Sequence, residues 1–563
     1  MSQNDTLPDW GRVVIAGGTD WRNLGRKPPG GKVASPDAPD LPDPHILRDV
    51  ANQKMKRVFS GHSACHAVFI NTRGEAFVLG RNEHGQCGVP IQADAGEPKG
   101  TTGPVISVPV KLLRSRHFTP ELPRGPDGEI VHVACGRNHT ILVTRGGQAY
   151  AAGANALGQC GNADTIDLQG FRKIEGAPFI KEKDPVVQAG AGVTFSLVLT
   201  ASGKVYAMGS SEKGQMGNGK TGEHFVTSNK LAFNTFTEPI LVRAISDKKI
   251  VQISCGQQHA IAMDEEGFCY VWGFGGYGRL GLGQQTDMLT PTLVPQFARD
   301  NQLTRAEQVI AGPTNTVVID RQRMYWLAGK WKTSGDGGAG QGFMTFKYLP
   351  DLMGCKMQRA ALGGVTLICT ADEEATARGP HEATMNICWG QNATYGELGL
   401  GVDKPRSATK PQRCETLDGI SIIDLAAGQN TTYYIARNLG DNYAELPRFP
   451  ELVESSDVCQ VCQSEKSKTG DDDKDVLLEC ERCEHPYHLQ CLDPPLDAVP
   501  EGEWQCPVCV EDGEASEDAD AQAASKKKGQ KNGSATAAPA SSNKKRGAGT
   551  IQEEAKPKKK GKK

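Results

Sequence analysis

Between Cys459 and Cys509 the chain places eight side chains that ligate soft or borderline metal ions. Their order is Cys459-x-x-Cys462, Cys480-x-x-Cys483, His488, Cys491 and Cys506-x-x-Cys509. Seventeen residues separate the first pair from the second, four separate Cys483 from His488, two separate His488 from Cys491, and fourteen separate Cys491 from the last pair. Thiolate and imidazole are the donors that zinc prefers, and eight of them complete two tetrahedral sites, so two zinc ions are the expected cofactors. His485 competes with His488 for the imidazole position.

The order of four cysteines, one histidine and three cysteines resembles the plant homeodomain (PHD) finger, whereas a RING brings the histidine one ligand earlier. Trp504, in "GEWQCPVC", stands at the aromatic position of that family two residues before the seventh ligand, and the family spacing together with Tyr487 favours His488 over His485. The resemblance implies cross-braced sites: Cys459, Cys462, His488 and Cys491 on one zinc, and Cys480, Cys483, Cys506 and Cys509 on the other. A module of about fifty residues has little apolar core, so metal supplies much of its folding free energy.

PHD fingers commonly receive the tail of a core histone as an added strand. The receiving segment here is Leu477, Leu478 and Glu479, and the family often takes the peptide's amino terminus on the backbone of Pro500, Glu501 and Gly502. A trimethylated lysine needs aromatic ring faces. The residues before Cys459 read "ESSDV", and Glu484 stands where many cage-bearing fingers put an aromatic. The surface is acidic instead, with Asp457, Glu481 and Glu484 beside Asp471 to Asp473 and Asp475. Carboxylates pair with arginine or an unmodified ammonium. An unmethylated tail is the expected partner.

The rest of the chain is a repeat. Its first half reads "VACGRNHTILVT" at Val133 to Thr144 and "ISCGQQHAIAMD" at Ile253 to Asp264, and its second half reads "FVLGRNEHGQCG", "YAAGANALGQCG", "YAMGSSEKGQMG", "YVWGFGGYGRLG" and "CWGQNATYGELG". Apolar alternation between Gly, Asn and Asp turns predicts a meander of antiparallel strands in each unit. Gly61, Gly136, Gly192, Gly256, Gly312, Gly363 and Gly428 mark seven first halves, while one second half, "VVIAGGTDWRNLG", stands alone at the start. The orphaned halves complete one another, which predicts an all-β, seven-bladed propeller closed by both chain ends. His66, His139 and His259 fall on successive units, too far apart to share an ion, and are expected to bond between strands. Segments 90–129, 162–185 and 220–249 lengthen the connections, and long loops of this kind tend to carry binding.

This unit resembles the repeat of the regulator of chromosome condensation family, whose founding member is a chromatin-bound exchange factor for a small GTPase. "GTDWRNLGRK", "YGELGLG" and "LDGI" place it nearer the family's second branch. The resemblance implies two functions: a chromatin-associated adaptor with the propeller as a protein-interaction platform, or a guanine nucleotide exchange factor localised by chromatin. No hydrolase elbow, kinase set or phosphate loop is present, and the inserted segments carry no identifiable GTPase wedge, so an adaptor rather than an enzyme is expected.

The expected boundaries are a propeller at 1–440, a linker at 441–456, the finger at 457–511 and a disordered acidic, then lysine-rich tail at 512–563. From Lys526 onward thirteen Lys and Arg face two Glu, so a net charge of -3 hides a basic tail on an acidic body. Such a tail resembles a nuclear localisation signal and suits non-specific contact with DNA phosphates. No signal-peptide pattern and no run near the roughly 20 apolar residues of a membrane span occurs, so a soluble, nuclear, chromatin-associated protein with no membrane partner is expected. Ten of the seventeen cysteines lie outside the cluster and read as reduced, buried side chains.

Overall fold

The computed structural model describes residues 7–26, 38–92, 99–176, 178–227, 230–331, 342–372, 384–438, 441–450, 458–464, 477–482, 485–500 and 504–510. Seven antiparallel sheets form the blades of a propeller. Their innermost strands are Met55–Phe59, Ile130–Cys135, Val186–Ala191, Ile250–Cys255, Ala306–Ala311, Met357–Leu362 and Ile422–Ala427. The next strand outward is fully buried in most blades, as in His139–Thr144 and His259–Asp264, because both its faces meet a neighbouring blade. That is why these strands read as continuous apolar runs.

The Cys-Gly-x-x-His signature has a steric cause. The imidazole folds back over the glycine, so a Cβ on Gly136 would lie 2.4 Å from His139 Cε1, and one on Gly256 would lie 2.1 Å from His259 Cε1. So placed, His139 and His259 reach the next blade, as His66 also does. His66 Nε2 meets Thr140 Oγ1 at 2.7 Å, His139 Nε2 meets Ser196 Oγ at 2.8 Å, and His259 Nε2 meets Thr316 Oγ1 at 2.9 Å. Each hydroxyl in turn donates to a carbonyl of the histidine's own blade, at Gln86, Gln159 and Arg279. With the hydroxyl proton used, the imidazole must donate through Nε2, so each ring bridges two blades.

Burial holds His66 at about 3 and His139 at about 4, and it holds buried His62 at about 3. An unfolded histidine titrates near 6.5. As pH falls below that value the unfolded chain takes up protons that the folded chain refuses. The stability carried by these rings is complete above about pH 6.5 and is lost as pH falls toward 4, at about 1.4 kcal/mol per pH unit for each ring. The melting temperature should therefore be level above about pH 7 and drop steeply below 6. A His66→Asn, His139→Asn chain should show a shallower slope, and equal slopes for the two proteins would contradict the assignment.

Both chain ends build one blade. Arg12–Gly18 pairs antiparallel with Thr431–Ala436, from Arg12 opposite Ala436 to Gly17 opposite Thr431, and on its other side with Asp40–Leu47. Residues 441–450, expected as linker, extend this blade. Asp441–Ala444 is a helical turn, Tyr443 and Leu446 are buried, and Arg448–Phe449 adds a parallel fifth strand beside Asp40–Leu47. Three apolar side chains spaced by three residues anchor a segment whose polar neighbours read as linker.

The inserted segments also differ from expectation. Each contains the fourth strand of a blade meander, namely Val105–Lys111, Leu168–Lys173 or Thr235–Leu241, and Phe118–Thr119 of segment 90–129 adds a parallel strand outside Leu168–Lys173. These outer strands are only partly buried, and the two that lie at a blade edge carry a proline, Pro109 and Pro239. They lack the apolar run of the inner strands for that reason. Segment 220–249 also holds a small exposed hairpin, His224–Phe225 with Leu231–Ala232. Of the ten cysteines outside the cluster, nine are buried free thiols and Cys355 is half-buried. No helix among the described residues is long and apolar enough to cross a membrane.

Candidate metal centre

Two short strands organise the finger: Leu477–Glu479 pairs antiparallel with Pro486–His488, bringing Leu477 opposite His488. The pairing sets His488 among thiols from two stretches of chain, the Cys459–Cys462 turn and Cys491. Cys459, Cys462, His488 and Cys491 present ligand atoms all within 4.8 Å of one another. His488 Nδ1 lies 3.4 Å from Cys462 Sγ and 3.8 Å from Cys491 Sγ. His485 is exposed and faces no thiol cluster among the described residues. Cys480, Cys506 and Cys509 form the second group. Cys483, expected as its fourth member, lies outside the described residues.

The backbone prepares both groups for a cation. The amide of His488 donates to Cys459 Sγ at 3.3 Å, and that of Cys506 donates to Cys480 Sγ at 3.2 Å. Burial raises the Cys459 thiol, yet amides of Cys462, His488 and Val461 outweigh it and bring the group down to about 6. Burial and the neighbouring thiols push Cys491 up to about 12. One member of the group is thus ready as a thiolate while another resists ionising, a conflict that a divalent cation removes.

Around these ligands the apolar core is small. Tyr487 and Leu492 are its buried side chains besides the cysteines, with Leu478, Leu496 and Trp504 packed against them. Tyr487 and Trp504 meet edge to face at 5.6 Å, and the Trp504 carbonyl accepts from the Glu481 amide at 3.0 Å. Both rings of the finger core therefore pack on each other rather than forming a cage. Leu477 and Leu478 are half-buried, Glu479 is exposed, and Pro500 is half-buried. Asp457, Glu484, Glu501, Gly502 and the acids at 471–473 and 475 lie outside the described residues, as does the tail at 512–563.

Residues 12–385 match the family model of the RCC1-like domain, and residues 459–509 match that of the PHD-finger. The chain belongs to the RCC1-like family. It is 30% identical to Protein RCC2 of Homo sapiens, covering 78% of this chain and 79% of that one, and 31% identical to the Protein RCC2 homolog of Xenopus laevis, covering 78% and 80%. Among solved structures, Prp20p of Saccharomyces cerevisiae, described together with its binding to Gsp1p and histones, superposes with a TM-score of 0.57 at 18% identity, over 78% of this chain and 94% of that one. Human WBSCR16 superposes with a TM-score of 0.55 at 19% identity, over 76% and 100%. At these identities the structures show a shared fold. The Cys/His clusters of this RCC1-like protein bind zinc.

Sequence reasoning did not foresee where the finger sits. It rests against the blade that closes the ring, and Arg448 of the added fifth strand pairs with Glu481. Gln505 Nε2 donates to the Ala51 carbonyl at 3.1 Å, and Asn52 Nδ2 donates to the Cys509 carbonyl at 3.4 Å. Arg48 Nε caps the Pro450 carbonyl at 2.7 Å, where the chain leaves the propeller. Residues 51 and 505 are too distant in sequence, and too ordinary in type, for any local pattern to mark their meeting.

On the propeller axis a channel of about 260 Å³ is lined by the seven innermost strands. Its polar groups serve mainly to join blades. Gln188 exchanges two hydrogen bonds with Ile253, Gln252 accepts from the Val309 amide at 3.0 Å, and Ser254 accepts from the Ala311 amide at 2.9 Å. The Asp424 carboxylate takes Arg57 Nε at 2.9 Å, the Val58 amide at 3.0 Å and Arg359 Nη1 at 3.4 Å. These bonds favour a rigid scaffold over a reacting centre.

Proposed function

We propose that this RCC1-like protein is a nuclear, chromatin-associated adaptor whose finger takes an unmodified histone tail while the propeller presents a rigid platform to a protein partner. The finger holds two zinc ions in this reading, one on Cys459, Cys462, His488 and Cys491 and the other on Cys480, Cys483, Cys506 and Cys509. The observation that carries the reading is the Leu477–Glu479 strand. It pairs on one side only among the described residues and ends two residues before the acidic Glu481. An extended peptide added at the free side gains backbone bonds, and an arginine or free lysine on it gains charge-assisted ones. The amino terminus of the peptide falls to Pro500, Glu501 and Gly502, and the lysine-rich segment from Lys526 adds non-specific contact with DNA phosphates.

Trimethylation removes every ammonium donor and adds bulk that only an aromatic cage rewards. Titrating the intact protein with unmodified and lysine-trimethylated tail peptides by calorimetry should show the unmodified peptide binding about tenfold or more tightly, from the loss of one charged hydrogen bond. Equal or tighter binding of the trimethylated peptide would contradict the proposal. The shared fold with Prp20p keeps a second reading, nucleotide exchange on a small GTPase, and unchanged nucleotide release across a GTPase panel would leave the adaptor.

A further inference from the structure

We infer that the propeller clasps the finger's acidic face in cis, with Arg448 on the Glu481 carboxylate in the place an arginine of a bound tail would take. Tail and propeller then compete for one face of the finger. This inference rests on the tail-reading proposal for its ligand, an arginine-bearing peptide, but the clasp itself stands on contacts within the chain.

The two surfaces are complementary in charge. The propeller offers Arg448 and Arg48, and the finger offers Glu481 and Glu479, the last residue of the receiving strand. In the opposite sense the propeller's Asp49 faces Arg482 of the finger. Arg448 is delivered from a rigid support: its backbone pairs opposite Ile46, and its neighbour Phe449 is buried in the propeller core. The guanidinium is thereby held at the finger at high effective concentration, as a tethered ligand would be. An arriving arginine finds its carboxylate already paired.

The clasp is also built to open. No apolar cluster is shared among the described residues, since the finger core holds only finger residues and the adjoining blade clusters hold only propeller residues. Among the described residues the contacts that join the two are polar and include a part-exposed ion pair, with 22% and 27% of its side chains accessible, and the two amide bonds of Gln505 and Asn52. Contacts of this kind are individually weak and yield to a competing ligand. When the clasped state dominates, apparent affinity for the tail falls in proportion to the open fraction.

The test uses the full zinc-loaded chain with Arg448→Gln, which keeps a polar but shorter side chain and removes its charge. An unmodified peptide with arginine, lysine and a free amino terminus is the probe, and amide exchange at residues 51–53 and 505–509 reports release. Release together with about tenfold tighter peptide binding supports the competition. Release with unchanged or weaker binding overturns it, and unchanged exchange overturns the clasp. Glu481→Gln serves as the second variant: it should release the finger equally but lose peptide affinity, because it removes the shared carboxylate. Should neither protein bind peptide, the tail reading fails while the exchange data still decide the clasp.

Discussion

Cys480→Ser should cost the chain one zinc ion and unfold the finger, while the propeller keeps its melting temperature. Cys480 is 1% exposed, and its sulfur accepts the Cys506 amide inside the group with Cys506 and Cys509. A hydroxyl does not replace a thiolate on zinc. Structural zinc contributes about 10–16 kcal/mol of apparent free energy in finger peptides, far more than Tyr487 and Leu492 can supply by burial at about 1.5–3 kcal/mol each. The propeller clusters next to the finger contain no finger side chain, so that core has nothing to lose. Zinc content by emission spectroscopy, amide exchange over 477–509 and thermal melting together give the answer. A full zinc complement in the variant, or retained protection in the finger, would show that Cys480 is not a ligand.

Deletion of residues 1–18 should open the ring and destabilise all of it, although the segment is a small fraction of the chain. It removes Arg12–Gly18, the strand between Thr431–Ala436 and Asp40–Leu47, and leaves both without a partner on that side. Val13, Val14 and Ile15 are each 0% exposed, with Val13 and Ile15 facing one neighbouring blade and Val14 the other. At about 1.5–3 kcal/mol for each such side chain, their loss is of the order of a domain's entire stability of about 5–15 kcal/mol. Ile15→Ala is the milder arm and should cost about 2–5 kcal/mol, read from urea denaturation. An unchanged melting temperature in the truncated chain would mean that the ring does not depend on this strand.

The ring and the finger's ligand pattern were legible in the sequence because both are set by local rules. A buried strand must be apolar on two faces, and Gly136 must lack a side chain where His139 folds back. A Cys-x-x-Cys pair puts two thiols on one turn, so the spacing alone announces a metal module. Even the closure was readable, since one unmatched half at each end of the repeat can pair only with the other. The outermost strands escaped notice because Val105–Lys111 and Thr235–Leu241 sit at blade edges, where burial is partial and proline is tolerated.

Tertiary structure alone decided what the acidic face of the finger meets. In the sequence Glu481 is a surface carboxylate available to any cation, and Arg448 is one polar residue in an apparent linker. Burial of Tyr443, Leu446 and Phe449 turns that linker into a fifth strand and carries Arg448 to the finger. Sequence determined the charges on the two surfaces. Their meeting depends on packing between segments more than four hundred residues apart, such as Ala51 and Gln505, and no local periodicity encodes a contact of that range.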